Sequence, residues 1–324
     1  MAKLNKIGIL SNPLSGRVKN DVTAIQDLSK SIPEGIYREA SNQAEFKTVL
    51  EEFSNNKIEV IVIIGGDGTI HAVLSYLFSR KIFSSLPMLA IVPAGTTNMT
   101  AKDFKISGKP AKVLRKLVSV LTESSSYPSI SRPVMCIKNG NETPQYGMFF
   151  GTGIIAEGVE YFQKKVRGYG LTGERASGIV MLRYLVTLLT GQHGDDQKQS
   201  GIQIQDNDES GRDENCLLVF ASSLNRLLLG TRPYWGREDQ PIHVTLVRHK
   251  PKRLWLSIWP LLFGKGAQLS AENGYVSRNL TTLCLKMNGN FIIDGEIYTA
   301  DKNNGAVHIS ASDTISVIDL SLEK

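Results

Sequence analysis

The sequence predicts an α/β protein in two parts: a parallel sheet covered by helices, then a mostly antiparallel second domain. Three observations predict it. Strand-like and helix-like runs alternate at regular spacing through the first 125 residues. A Ser- and Pro-rich stretch without period, Thr122–Pro133, interrupts them. Short strand-like runs dominate beyond it. The domains are therefore placed at residues 1–127 and 128–324.

Lys6–Leu10 is a short apolar run that ends in a Pro/Ser/Gly turn, as a first strand does. Asp21–Ser31 has an amphipathic helical pattern, Ile36–Ala40 is strand-like, and Gln43–Phe53 is helical with Ser41 as its expected N-cap. Ile58–Ile64 is almost entirely β-branched, which suits a central strand buried on both faces. A helix over Thr69–Ser79, a strand over Met88–Val92 and a helix over Ala111–Leu121 complete the alternation. Beyond the boundary, strands are expected at Val134–Ile137, Gly201–Gln205, Cys216–Ala221, Ile242–Val247, Thr281–Leu285 and Ile315–Leu320. Helices are expected at Glu157–Gln163 and Gly178–Leu189, and the polar run Gln192–Asn215 reads as a solvated loop or long hairpin.

Composition narrows the class. The chain has 324 residues, 41% of them hydrophobic and 21% charged, which excludes a disordered chain. The net charge of +6 favours anionic partners such as nucleotides or acidic membrane surfaces. Three scattered cysteines form no C-x-x-C pair, so a reducing cytoplasm is expected and a disulfide framework is not. The apolar stretches are too short or too interrupted to span a bilayer.

The chemistry lies in the turns. The buried strand at Ile58–Ile64 runs into Gly65-Gly66-Asp67-Gly68-Thr69 and then a helix. Glycines at such a turn let backbone N–H groups approach a phosphate, and the helix N-terminus adds positive potential. A carboxylate there suits a role toward Mg²⁺ between Asp67 and the phosphates; its alternative is a helix cap. Two other turns follow strands of the same sheet: Asn12-Pro13-Leu14-Ser15-Gly16-Arg17, and Gly95-Thr96-Thr97-Asn98 after Pro93-Ala94. In a parallel sheet all three lie at the carboxyl ends of strands, where ligands bind. Gly151-Thr152-Gly153-Ile154-Ile155-Ala156 matches a relaxed dinucleotide pattern, but without a strand–helix–strand unit around it. It reads as a close-packed strand-to-helix turn. Asp294-Gly295-Glu296 lies between strand-like runs, where Asp-Gly is also a hairpin signal.

Taken in order, N-P-x-S-G at Asn12–Gly16, G-G-D-G-T at Gly65–Thr69, P-x-G-T-x-N at Pro93–Asn98 and D-G-E at Asp294–Glu296 resemble the diacylglycerol kinase catalytic-domain family. That family includes bacterial lipid kinases and sphingosine kinases, with NAD kinases as distant relatives. The resemblance implies a three-layer α/β/α nucleotide-binding domain, a β-sandwich-like second domain and an active site in the cleft between them. It implies ATP contacts from Asn12–Gly16, Gly66–Thr69 and Thr96, with Ser41 or Arg38 joining from the second βα turn. Asp294 matches the general base, with Glu296 beside it, and phosphoryl transfer calls for Mg²⁺. The chain departs from the pattern at Ile70-His71-Ala72, at Met99, and at Glu238-Asp239-Gln240, where Asp239 alone is left as a candidate ligand of a structural Mg²⁺.

The reading that follows is an ATP-dependent lipid kinase, cytoplasmic or peripheral at the inner face of the membrane. Its expected partners are a lipid substrate at a membrane surface and a second copy of the chain, with no nucleic acid. A kinase of a soluble acceptor such as NAD and a non-catalytic nucleotide- or lipid-binding homologue are the alternatives. His249–Lys265 sets Lys250, Lys252, Arg253 and Lys265 around Trp255, Trp259 and Phe263, a pattern that suits an anionic interface as well as a core-packed helix.

Overall fold

The structure, a computed structural model, describes residues 5–18, 22–123, 126–161, 163, 201–206 and 212–321. The chain forms two compact units, residues 1–132 with 314–324, and residues 133–313. The division at Arg132 falls inside the Ser/Pro-rich stretch. Residues 314–324 group with the first unit because Val317 pairs in parallel with Leu89.

The first unit runs β1 (Ile7–Ser11), α1 (Val22–Lys30), β2 (Ile36–Glu39), α2 (Gln43–Asn55), β3 (Val60–Gly65), α3 (Asp67–Arg80), β4 (Met88–Pro93), α4 (Met99–Asp103) and α5 (Pro110–Glu123). Its strands lie in the order β4-β3-β1-β2, all parallel. Every residue of β1 and β3 is buried, which explains their Ile/Val content, whereas β2 is a half-exposed edge. From β1 the chain steps outward to β2, then back past β1 to β3 and on to β4. Right-handed crossovers therefore put α1 on one face and α2 and α3 on the other. The packing agrees, since α1 meets α5 and α2 meets α3. The sheet reverses direction between β1 and β3.

Three local expectations change. The N-cap of α2 is Asn42 rather than Ser41: Asn42 accepts the Glu45 N–H, while the Glu45 carboxylate accepts the Ser41 N–H and hydroxyl. Helix α3 starts at Asp67, two residues before the expected Thr69. The short helix α4 was not anticipated, because five residues carry no readable period.

The second unit contains β5 (Ser129–Asn139, which starts at its border), β6 (Gln145–Gly147), β7 (Phe149–Gly153), α6 (Ile154–Tyr161), β8 (Gly201–Asp206), β9 (Arg212–Ser222), β10 (Ile242–Arg248), α7 (Leu254–Phe263), β11 (Tyr275–Leu280), β12 (Thr282–Lys286), β13 (Gly289–Ile293), β14 (Glu296–Ala300) and β15 (Val307–Ile318, whose last residues belong to the first unit). One antiparallel sheet runs β14-β13-β7-β9-β10-β11. The first half of β9 pairs instead with β8, which continues to β12 and β15. The strands of both sheets bury one core, including Phe150, Val219, Leu246, Leu283, Phe291 and Ile309. The strand expected at Gly201–Gln205 is β8, and its antiparallel pairing with the start of β9 fits the long-hairpin reading of Gln192–Asn215. The helix expected at Gly178–Leu189 lies outside the described residues. Gly151–Ala156 is the anticipated tight passage: β7 runs directly into α6 at Gly153, whose φ is +69°, and a Cβ there would lie 2.3 Å from the Leu217 carbonyl. Among the described residues no helix is long and apolar enough to cross a membrane.

Candidate active site

In the first unit the turns after β1, β3 and β4 meet at the carboxyl edge beside the point where the sheet reverses. Backbone bonds tie them together: Asn12 N–H to the Ile64 carbonyl at 2.9 Å, Arg17 N–H to Ala94 at 3.0 Å, and Ala94 N–H to Gly65 at 2.8 Å. Asn12 reaches across with its side chain, donating to the Thr69 hydroxyl at 2.9 Å, while its Oδ1 accepts the Leu14 N–H. Leu14, Gly16 and Thr96 stay exposed on the rim.

Gly66 and Gly95 touch back to back. A Cβ on Gly66 would stand 2.9 Å from the Gly95 Cα, and one on Gly95 would stand 2.6 Å from the Gly66 Cα. Two turns can approach this closely only without side chains. Gly65 is constrained too, since a Cβ there would strike Thr69 at 2.5 Å. Helix α3 begins at this point with Gly66 as its cap residue; the Thr69 and Ile70 N–H groups donate to the Gly66 carbonyl, and the Asp67 and Gly68 N–H groups ahead of them have no intrahelical acceptor by the geometry of any helix start. Asn98 holds the third turn in shape. It adopts φ +47°, a conformation Asn tolerates, and its amide exchanges two 2.8 Å bonds with the Gly95 backbone.

Asp67 has partners the sequence did not suggest. Its buried carboxylate accepts the Thr97 hydroxyl at 2.7 Å and the N–H groups of Met99 and Thr100 at 3.0 Å each. It caps α4 from across the sheet and so locks the third turn to the second. Both oxygens thus hold one segment, Thr97 to Thr100.

In the second unit Asp294 and Gly295 form the two-residue turn between β13 and β14, with φ of +48° and +92° and with Ile293 opposite Glu296. The hairpin reading of Asp-Gly is therefore correct. The side chain nevertheless turns inward. Asp294 is 5% exposed, and its carboxylate accepts N–H bonds from Met148 at 3.0 Å and Phe149 at 2.9 Å. Gly147 makes room, because a Cβ there would lie 2.4 Å from Oδ2. Glu296 is exposed on the same hairpin. Tyr298 beside them has its phenol pushed up to about 12 by burial, with the Glu296 and Asp294 charges adding to the effect.

Other candidates are not assembled with these. Ser41 is engaged by Glu45, and Arg38 is paired with Glu52 on α2. Asp239 is exposed, and among the described residues no group of three or more His, Cys, Asp or Glu could hold a metal ion. The residues at Glu238–Gln240 therefore do not fit a resident Mg²⁺: the Glu238 carboxylate accepts the Asn279 N–H instead. His71, a departure from the family pattern, is buried on α3 with a partner. Sequence reasoning missed Met148 and Phe149, since they act through their backbone; Gly147 ahead of them was the available signal.

Comparison with known proteins gives these sites a context. Residues 6–127 match the diacylglycerol kinase catalytic domain family. A curated protein of Streptococcus pneumoniae, named "Putative lipid kinase", is 29% identical over 107 residues, which cover 32% of this chain and 35% of that protein. The match thus spans about a third of the relative's length. Two solved structures from Bacillus anthracis, described as a "putative diacylglycerol kinase" and as a diacylglycerol kinase, share the fold. Their TM-scores are 0.65 and 0.63 at 17% and 16% identity, covering 98% of this chain and 96% and 98% of theirs. The three turns at the carboxyl edge thus lie in a segment that matches the diacylglycerol kinase catalytic domain, on a fold shared with solved proteins of that name.

Proposed function

We propose that the chain is an ATP-dependent kinase that phosphorylates a hydroxyl of a lipid: diacylglycerol, a sphingoid base or a related molecule. The observation that carries this reading is the Gly66–Gly95 contact at the reversal point of the sheet. It leaves backbone and a helix start, not side chains, facing the edge where a phosphate would lie. In this reading Asn12 and Thr69 shape the phosphate turn, Thr96 on the rim contacts the nucleotide, and Arg17 supplies positive charge for the phosphates. Asp67 keeps the third turn in register with the second. Mg²⁺ would enter with ATP as part of the substrate and neutralise phosphate charge.

Asp294 is the general base. Two backbone donors fix its orientation, and a carboxylate offers about four acceptor directions, so an anchored Asp294 is compatible with taking the acceptor hydroxyl's proton. Phosphoryl transfer asks the protein mainly for positioning and electrostatics, which rigid backbone-held groups supply.

The test is turnover of labelled ATP with a panel of dispersed lipids and with NAD. Phosphorylated lipid, lost in Asp294→Asn, supports the proposal. Phosphorylated NAD, or ATP binding with no product on any acceptor, overturns it.

A further inference from the structure

Helix α7 reads Leu-Trp-Leu-Ser-Ile-Trp-Pro-Leu-Leu-Phe, apolar almost all round, yet only one side of it is buried. Ser257, Ile258 and Leu261 face the second unit. On the opposite arc Trp255, Leu256, Trp259 and Phe263 are 68%, 70%, 70% and 49% exposed. The Trp259 and Phe263 rings lie parallel within 2°, centroids 6.1 Å apart, so they form a flat slab. A helix apolar on both faces belongs in a core or in lipid.

The segment is firmly seated. Gly264 closes the helix at φ +62°, the Gln268 side chain donates to the Leu256 carbonyl, and the Tyr275 hydroxyl donates to the Lys252 carbonyl. The exposed arc is thus held outward by its surroundings.

Charge decides the occupant. Lys250, Lys252 and Arg253 flank one end and Lys265 the other, all exposed, and exposed Arg232 is bonded through its backbone to Leu262. From His249 to Ser270 there is no Asp or Glu. A second copy docked here by a two-fold axis would press this basic rim against itself. An anionic bilayer complements it, with Trp at the boundary and Lys and Arg reaching phosphate headgroups. Ten residues span only about 15 Å, half of a hydrocarbon core, so the helix lies in the interface rather than across it.

We propose that α7 is an interfacial membrane anchor that docks the second unit on anionic lipid. The inference rests on the lipid-kinase reading for its purpose, but its test does not require turnover.

The full chain is mixed with vesicles of phosphatidylcholine, alone or with phosphatidylglycerol, and followed by co-sedimentation and tryptophan emission. Anionic vesicles should bind it and shift emission to the blue as Trp255 and Trp259 leave water. Leu256→Ser/Phe263→Ser keeps both tryptophans and alters only exposed side chains. It should weaken vesicle partitioning about tenfold or more with an unchanged melting profile. Lys252→Gln/Arg253→Gln should weaken anionic binding roughly thirtyfold at low salt, and less as salt rises. The proposal is overturned by equal weak binding to both vesicle types without an emission shift, by wild-type binding in the Leu256/Phe263 variant, or by a wild-type dimer that this variant dissociates. Vesicle binding with no turnover on any lipid would remove the kinase reading alone. Turnover on detergent-dispersed lipid without vesicle binding would remove the anchor alone.

Discussion

Asp294 is held by backbone on one side and by a left-handed turn on the other, so its variants report on both. Asn accepts the same turn conformation but has one acceptor oxygen where the carboxylate uses two. Asp294→Asn is expected to lose about 1–2 kcal/mol of stability, read by urea denaturation. As a lost general base it should also lose on the order of 10²–10⁴ in kcat with KM little changed. A stability loss with turnover within about threefold of wild type, far below that range, would leave Asp294 as a hairpin residue and move attention to Glu296. Asp67→Asn should act differently: its amide would face the Met99 and Thr100 donors, costing about 1–3 kcal/mol and loosening the third turn. A fall in melting temperature should accompany any fall in turnover, whereas lost turnover at unchanged stability would favour the metal role. At Cys216 burial, reinforced by the Glu214 charge, pushes the thiol up to about 12. The native thiol thus keeps its proton where the unfolded one has lost it, and this contribution to stability declines as pH rises past the ordinary thiol value toward 12. Iodoacetamide should alkylate Cys216 more slowly in the native chain than in the unfolded one near pH 8.5, roughly the pKa of a free thiol. At this scale the sequence was legible where a side chain marks a turn, as Asn12, Thr69 and Asp294 do. It was silent on Met148 and Phe149, because an N–H group has no letter.

Elements show the same division. The Ile/Val content of β3 declared a strand buried on both faces, and the Asp-Gly pair declared a hairpin. Helix α4 was hidden, since its stability comes from a cap 32 residues upstream, the Asp67 carboxylate on the Met99 N–H, rather than from a period of its own. The glycine turns make a paired prediction. Gly66→Ala forces a Cβ to 2.9 Å from the Gly95 Cα, backbone that cannot yield cheaply; overpacking of this kind costs about 1–3 kcal/mol, and nucleotide binding should fall with it. Gly16→Ala meets nothing within 4 Å and should stay within about 0.5 kcal/mol of wild type. Urea denaturation and nucleotide titration of the two variants check the contrast. Equal effects would mean that the close approach does not shape the site.

For the whole molecule, the boundary read from sequence after residue 127 lies a few residues before the division at Arg132, but nothing in the sequence hinted that residues 314–324 group with the first unit. A strand pattern names a strand, not its neighbour, and Ile315–Leu320 could pair with any exposed edge. Ile315, Val317 and Ile318 are buried. Removing residues 314–324 should therefore lower the stability of the first unit by several kcal/mol, at about 1.5–3 kcal/mol for each buried aliphatic side chain. Limited proteolysis within residues 1–132 and the urea midpoint would read the loss; an unchanged midpoint would show that this strand is dispensable. The pairing of Val317 with Leu89 also places folding in time. During synthesis β1 to β4 emerge early, but their sheet waits for a neighbour encoded after the whole second unit. At about 5–20 residues per second, the stretch from Pro133 to Asp313 takes roughly ten to forty seconds to make. Through that interval the nascent first unit carries an open, fully apolar β4 edge on the ribosome, so a chaperone that shields strand edges would meet this chain before any substrate does.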